Sequence, residues 1–258
     1  MSRTGLWDTH AHLDDPAFAK DRKELLAQLE QDLDGIINAG CDAPSSAMAV
    51  ELAEQYPFIY AAVGYHPENL KGIAPNYLEQ LAAWAVHPKV VAIGEIGLDY
   101  YWKENEPKSV QKRVFLEQID LAKQFDLPII IHDREAHGDT LDILRQYGKG
   151  LRGVFHCYSG SLEMTDELLR MGFYFGFDGP LTYPNSKRAK RVAAHLPLER
   201  MLIETDCPYL TPQAHRGQRN EPAYVHYVAE EIAALRGLDA AEVARVTTEN
   251  AKRLFAIP

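Results

Sequence analysis

The segment DTHAHLD, residues 8–14, places His10 and His12 one residue apart with Asp8 two positions earlier. Side chains at i and i+2 of an extended strand share a face. Both imidazoles are therefore expected to project together, with Asp8 beneath them. Ten histidines in 258 residues leave chance as one explanation. The same residue types recur, however, at the ends of later apolar runs: Glu95 in VVAIGEIG, His132 in LPIIIHD, His156 in RGVFHCYS and Asp206 in MLIETDC. Four imidazoles and two carboxylates in such positions are unfavourable to bury unless they coordinate something. The donors suit magnesium, manganese, zinc, nickel or iron, and the lack of cysteine ligands argues against a closed structural zinc site. Six ligands are too many for one tetrahedral ion that keeps a water. They suit two divalent ions about 3.5–4 Å apart bridged by a carboxylate, with Glu95 as the natural bridge. Asp206 is the best candidate to accept a proton from an activated water.

These side chains must be delivered by a repeating framework. Eight short apolar runs (TGLWDTH, DGIINAG, FIYAAVG, VVAIGEIG, LPIIIHD, RGVFHCYS, FYFGFDG, MLIETDC) alternate with helix-like stretches near 18–33, 44–55, 76–86, 108–125, 136–147, 161–171, 186–195 and 222–236. A last helix is expected over 239–255. Strands apolar through their bodies are those covered by helices, and eight βα units in about 250 residues match a TIM-type (β/α)8 barrel. An open doubly wound sheet is disfavoured because the first strand has no GxGxxG turn and no GxxxxGK[ST] occurs. No linker or low-complexity stretch divides the chain, so one α/β domain over 1–258 is expected. In such a barrel the catalytic residues lie at the C-terminal strand ends, where the histidines and carboxylates fall.

The formal net charge of −10 excludes a passive, globally basic nucleic-acid-binding module. It leaves open an enzyme that grips phosphate through metal ions and a few arginines. No 18-residue apolar run suggests a membrane span, and MSRTGLWDTH lacks an apolar signal-peptide core. Three scattered cysteines, Cys41, Cys157 and Cys207, read as reduced thiols. A cytoplasmic enzyme with no stable protein partner is the expectation.

The motifs DTHAHLD, GYHPEN, GEIGLDYYW, IIIHDREAHGDTLDIL, HCYSG, IETDCPYLTP and RGQRNEPAYV, in this order over essentially the whole chain, resemble the TatD family of metal-dependent deoxyribonucleases. The resemblance implies a barrel with a binuclear centre, His10, His12, Glu95 and Asp206 around one ion and Glu95, His132 and His156 around the other. It implies hydrolysis of DNA phosphodiesters, often by exonucleases working from the 3′ end, with single-stranded DNA or 3′ ends as the expected substrate. One branch is also associated with removing D-amino acids from mischarged tRNA, so an ester or amide substrate is the alternative. FGFDGPLTY departs from the family by carrying Asp178 where glycines are usual.

Around these residues, His66, Arg134 and Asn220 are candidates for substrate contact, and Asp99 and Glu204 for orienting the ligand imidazoles. Arg134 could instead pair with Glu135 or Asp139. Strand alternation would turn Glu204 with Asp206 and direct Thr205 away, and would turn Cys157 toward the helices, opposite His156. SKRAKR (186–191) reads first as a solvated helix face, and otherwise as a grip on a DNA backbone helped by Arg216 and Arg219. Tyr100, Tyr101 and Trp102 could stack on unpaired bases or pack under their loop.

Overall fold

The computed structural model describes residues 5–258; Thr4, at the head of the first strand-like run, lies outside them. Eight strands, β1 (Trp7–Ala11), β2 (Gly35–Ala39), β3 (Ile59–Val63), β4 (Val90–Asp99), β5 (Ile129–Arg134), β6 (Gly153–Phe155), β7 (Tyr174–Phe177) and β8 (Met201–Ile203), pair in parallel in sequence order. Between them run α1 (Arg22–Asp32), α2 (Ala43–Gln55), α3 (Tyr77–Ala85), α4 (Lys108–Gln124), α5 (His137–Tyr147), α6 (Leu162–Met171) and α7 (Lys187–His195). Helices α8 (Val225–Arg236) and α9 (Ala240–Phe255) follow β8. The chain is a single-domain TIM-type (β/α)8 barrel, as its alternation of runs requires.

Local signals account for the helix ends. Asp42 and Ser45 form a reciprocal capping box at α2. Ser161 caps α6, which stops at Gly172 with φ +92°, a left-handed position that glycine adopts without penalty.

One apolar cluster takes a residue from every strand, among them Trp7, Ile37, Ala62, Ile130, Val154 and Leu202, and adds Leu254 and Phe255 of α9. This is the packed barrel interior. Ile130 and Val154 lie two residues before His132 and His156, so the alternation that buries the aliphatic side chains also sends the imidazoles into the mouth above them. A larger cluster, with Ile36, Ile59, Ile93, Ile129 and Phe175, packs the other strand face against the helices.

The ring closes between β8 and β1. His12 N–H donates to Cys207 O at 2.9 Å, Asp206 N–H to His10 O at 2.9 Å, and Thr205 N–H to Asp8 Oδ1 at 2.9 Å. Asp8 is fully buried below the histidines, where it also accepts the Thr205 hydroxyl. The closure therefore runs through the segments that carry His10, His12 and Asp206.

Candidate metal centre

The six expected ligands converge at the C-terminal mouth of the barrel. Glu95, on β4, is nearly fully buried, and its two oxygens face different partners. Oε2 lies 3.3 Å from His10 Nε2 and 3.8 Å from His12 Nε2. Oε1 lies 2.8 Å from His132 Nδ1, 3.2 Å from His156 Nε2 and 3.4 Å from His66 Nε2. Asp206 Oδ1 completes the first side, 3.2 Å from His12 Nε2 and 3.6 Å from His10 Nε2. His10 Nε2 and His12 Nε2 are only 3.1 Å apart. Nitrogen lone pairs and carboxylate oxygens crowded into one buried volume form a set rich in acceptors and poor in donors, which divalent cations satisfy. Three overlapping groups have ligand atoms within 4.8 Å of one another: His10–His12–Glu95, His10–His156–Asp206 and His66–Glu95–His132.

Outer contacts hold the rings in place. His12 Nδ1 bonds Ala39 O at 2.9 Å, His132 Nε2 meets Asp99 Oδ2 at 3.0 Å, and His156 Nδ1 meets Glu204 Oε1 at 3.2 Å. Asp99 and Glu204 thus lie in direct contact with the His132 and His156 rings. Burial alone would push the Glu95 carboxyl up, but His156, His66 and His10 outweigh it and hold the group well below the usual range. Asp206 is likewise lowered: burial opposes its charge, and the hydrogen bond from His12 with the charges of His156, His12 and His10 wins. Both carboxylates are therefore ionised at neutral pH.

His66 is distinguished by its hydrogen bonding. Its Nδ1 accepts from Glu68 N–H at 3.1 Å, so the network assigns the proton of the neutral ring to Nε2, facing Glu95 and the cavity. Burial, with the charge of nearby His132, lowers its pKa to about 4, which keeps it neutral.

The structure corrects several expectations. Asn220 does not face the cavity; it is fully buried, donates to Thr205 O at 2.8 Å and Tyr209 O at 2.6 Å, and accepts from Glu221 N–H at 2.9 Å. It braces the loop that presents Asp206. Asn220→Ala is expected to lower stability by about 2–4 kcal/mol by orphaning these buried groups, measurable in urea denaturation with chelated protein. Arg219 is committed to Asp21 (2.7 Å) and Glu221 (2.9 Å), and Arg216 lies over the Tyr183 ring at 4.4 Å. In SKRAKR, Lys190 pairs with Glu231 of α8 at 2.7 Å, whereas Lys187, Arg188 and Arg191 are exposed.

Strand alternation fails beyond the true strand ends. Strand β6 stops at Phe155, and Cys157, with φ +44°, turns into the cavity wall rather than toward the helices. Strand β8 stops at Ile203; Glu204 then turns toward His156 and accepts from Cys157 N–H at 2.6 Å, while Asp206 takes a left-handed φ of +56°. Asp178 is buried beyond β7, where burial and the charge of Glu204 raise its carboxyl to about 8. Arg134 pairs with neither Glu135 nor Asp139; its guanidinium lies 4.0 Å over the Tyr101 ring, and Asp139 pairs with Lys112 at 2.8 Å. Tyr100 packs down, donating to Asp139 at 2.7 Å, whereas Tyr101 and Trp102 remain exposed.

Two features were not anticipated. The Cys41 thiol lies 3.9 Å from Glu95 Oε2 and 3.8 Å from His12 Nδ1, and Tyr209 lines the cavity opposite the β4 loop. The cavity encloses about 870 Å3, within the roughly 300–1,000 Å3 typical of ligand clefts.

The TatD related DNase family profile matches residues 7–256. The chain belongs to the TatD family. It is 47% identical to the metal-dependent hydrolase YabD of Bacillus subtilis, covering 98% of this chain and 99% of that one. It is 33% identical to a Salmonella typhimurium protein named 3′-5′ ssDNA/RNA exonuclease TatD, covering 98% and 99%. The crystal structure of the TatD homologue YJJV from Escherichia coli superimposes with a TM-score of 0.91 at 34% identity, covering 99% of both chains. This TatD-family chain is a metal-dependent hydrolase with a buried His/Glu/Asp constellation able to hold metal. Among the described residues no helix is long and apolar enough to cross a membrane.

Proposed function

We propose that this TatD-family hydrolase cleaves phosphodiester bonds at unpaired 3′ ends of DNA, using two divalent ions held about Glu95. The observation that carries the binuclear reading is the division of Glu95: one oxygen toward His10 and His12, the other toward His132 and His156. His10, His12, Glu95 and Asp206 would hold one ion, and Glu95, His132 and His156 the other, with magnesium, manganese, zinc or nickel compatible with the donors. Bound there, such ions raise the acidity of a water toward a pKa of about 7 and polarise a phosphoryl oxygen. Asp206 accepts the proton of the attacking water, for which its ionised carboxylate at the cavity edge is placed. Asp99 and Glu204 keep His132 and His156 oriented, and His66 Nε2–H donates to a phosphoryl oxygen. Arg134, exposed and without an ion pair among the described residues, contacts the substrate phosphate.

The nucleic-acid substrate is supported by the name borne by the Salmonella relative. The mouth itself favours a second reading, because eight carboxylates line the cavity against one arginine and no lysine among the described residues. Such a wall suits a substrate carrying an ammonium group, as the ester of a D-aminoacyl-tRNA does. A metal-swap panel separates the two: chelated protein is reloaded with magnesium, manganese or zinc and offered single-stranded DNA, RNA and D-aminoacyl-tRNA. Release of nucleotides from 3′ ends of DNA with at least one metal supports the proposal. Deacylation with no DNA cleavage under any metal refutes it.

A further inference from the structure

Six large hydrophobic side chains are exposed among the described residues, and four of them, Tyr101, Trp102, Tyr209 and Leu210, belong to the loops after β4 and β8 at the cavity mouth. Trp102 is 41% exposed and Tyr209 54% exposed, and both line the cavity. Tyr101 and Trp102 meet edge to face at 4.8 Å, with the Arg134 guanidinium 4.0 Å from one ring and 5.5 Å from the other. On the far side Tyr209 donates its hydroxyl to Asp15 Oδ2 at 2.7 Å and lies 6.3 Å from the His12 ring. Both platforms are held by neighbouring groups yet leave ring surface open to solvent. Apolar surface concentrated at the rim of a charged cleft marks a place where a ligand is received.

The charge of the cleft limits what that ligand can be gripped by. With eight lining carboxylates and one arginine among the described residues, a phosphodiester backbone gains little beyond the scissile group. Base–aromatic stacking needs no cations and tolerates any base, since each presents a π face. We infer that Trp102, backed by Tyr101 and Arg134, and Tyr209 form a clamp that holds the terminal bases of an unpaired strand, making this a site that selects strand ends by their bases rather than by backbone charge. The inference rests on the nucleic-acid reading above and names the residues that set its preference. A paired terminus keeps its bases hydrogen-bonded and stacked, leaving only the outer face of the last pair open, so the clamp disfavours duplex ends.

The test uses the metal-loaded full-length protein and single-stranded oligodeoxynucleotides, either intact or with abasic residues at the two 3′-terminal positions. Removing the bases should raise KM about 5- to 150-fold per base, the range for stacking contacts. Trp102→Ala and Tyr209→Ala should raise KM for the intact strand similarly, keep kcat within about threefold, and no longer distinguish intact from abasic ends. Trp102→Phe should restore most of the binding, and matching thermal midpoints and metal content exclude a folding defect. Raising salt from 50 to 200 mM should weaken binding less than about tenfold, against the roughly 10³–10⁵-fold of proteins with six to ten phosphate contacts. Equal KM values for intact and abasic strands, or unchanged KM in both alanine variants while the protein still cleaves DNA, would overturn the clamp and leave the nuclease reading standing. Failure to cleave any nucleic acid with any metal would overturn both.

Discussion

Asp206→Asn is expected to lower kcat by about 10²–10⁴-fold while leaving the fold and most of the bound metal in place. Asparagine keeps the shape of the side chain and one oxygen that can face His10 and His12, but it cannot accept a proton. The predicted loss is that of a positioned general base. The low pKa of Asp206 makes it a weak base in isolation. It would suffice if bound metal acidified the water it serves, as such ions do. The backbone is built for this presentation: Asp206 stands at φ +56°, its N–H is tied to His10 O at 2.9 Å, and Asn220 holds the preceding carbonyl at 2.8 Å. A kinetic comparison under saturating metal checks the prediction. KM for DNA should change little, since Asp206 is assigned to the chemical step, and near-normal turnover would remove the assignment.

Glu95→Gln has a different and larger expected effect, the loss of both activity and metal affinity. The carboxylate is the shared element of two of the three potential ligand groups and lies within 4.0 Å of five histidines. Glutamine removes the negative charge and supplies N–H donors where cations are to bind. Metal affinity should fall by more than the roughly 10–100-fold typical of losing an outer hydrogen-bond partner, read by calorimetric titration of manganese into chelated protein. The contrast between the two variants is itself informative. Asp206→Asn separates catalysis from metal binding, whereas Glu95→Gln abolishes them together. Cys41, whose thiol approaches Glu95 Oε2 at 3.9 Å, is too weak a partner to compensate.

Much of this centre was readable from residue types and periodicity. His10 and His12 announce a shared direction by their spacing, and His132 and His156 follow Ile130 and Val154 at the interval that repeats a strand face. The reading failed where periodicity ended before the apolar run did. RGVFHCYS looks like one strand, but the ladder stops at Phe155, so Cys157 obeys a turn with positive φ rather than alternation. Nor does sequence show which polar residue is committed elsewhere. Asn220 resembles a substrate contact until its buried bonds to Thr205 and Tyr209 appear. Arg219 resembles a phosphate ligand until its fork closes on Asp21, 198 positions away. Nothing in ETDCPYLTP marks Tyr209 as a residue of the mouth; only the fold brings it and Trp102, from the loops after β8 and β4, to line one cavity.

The central claim is that one buried glutamate divides its oxygens between two metal sites. Equilibrium dialysis of the chelated protein against manganese, with bound metal counted per chain, tests it most directly. Two ions per wild-type chain, reduced to one or none in Glu95→Gln, is the predicted result. A wild-type chain that saturates with a single ion, or a Glu95→Gln variant that still binds two, would contradict it.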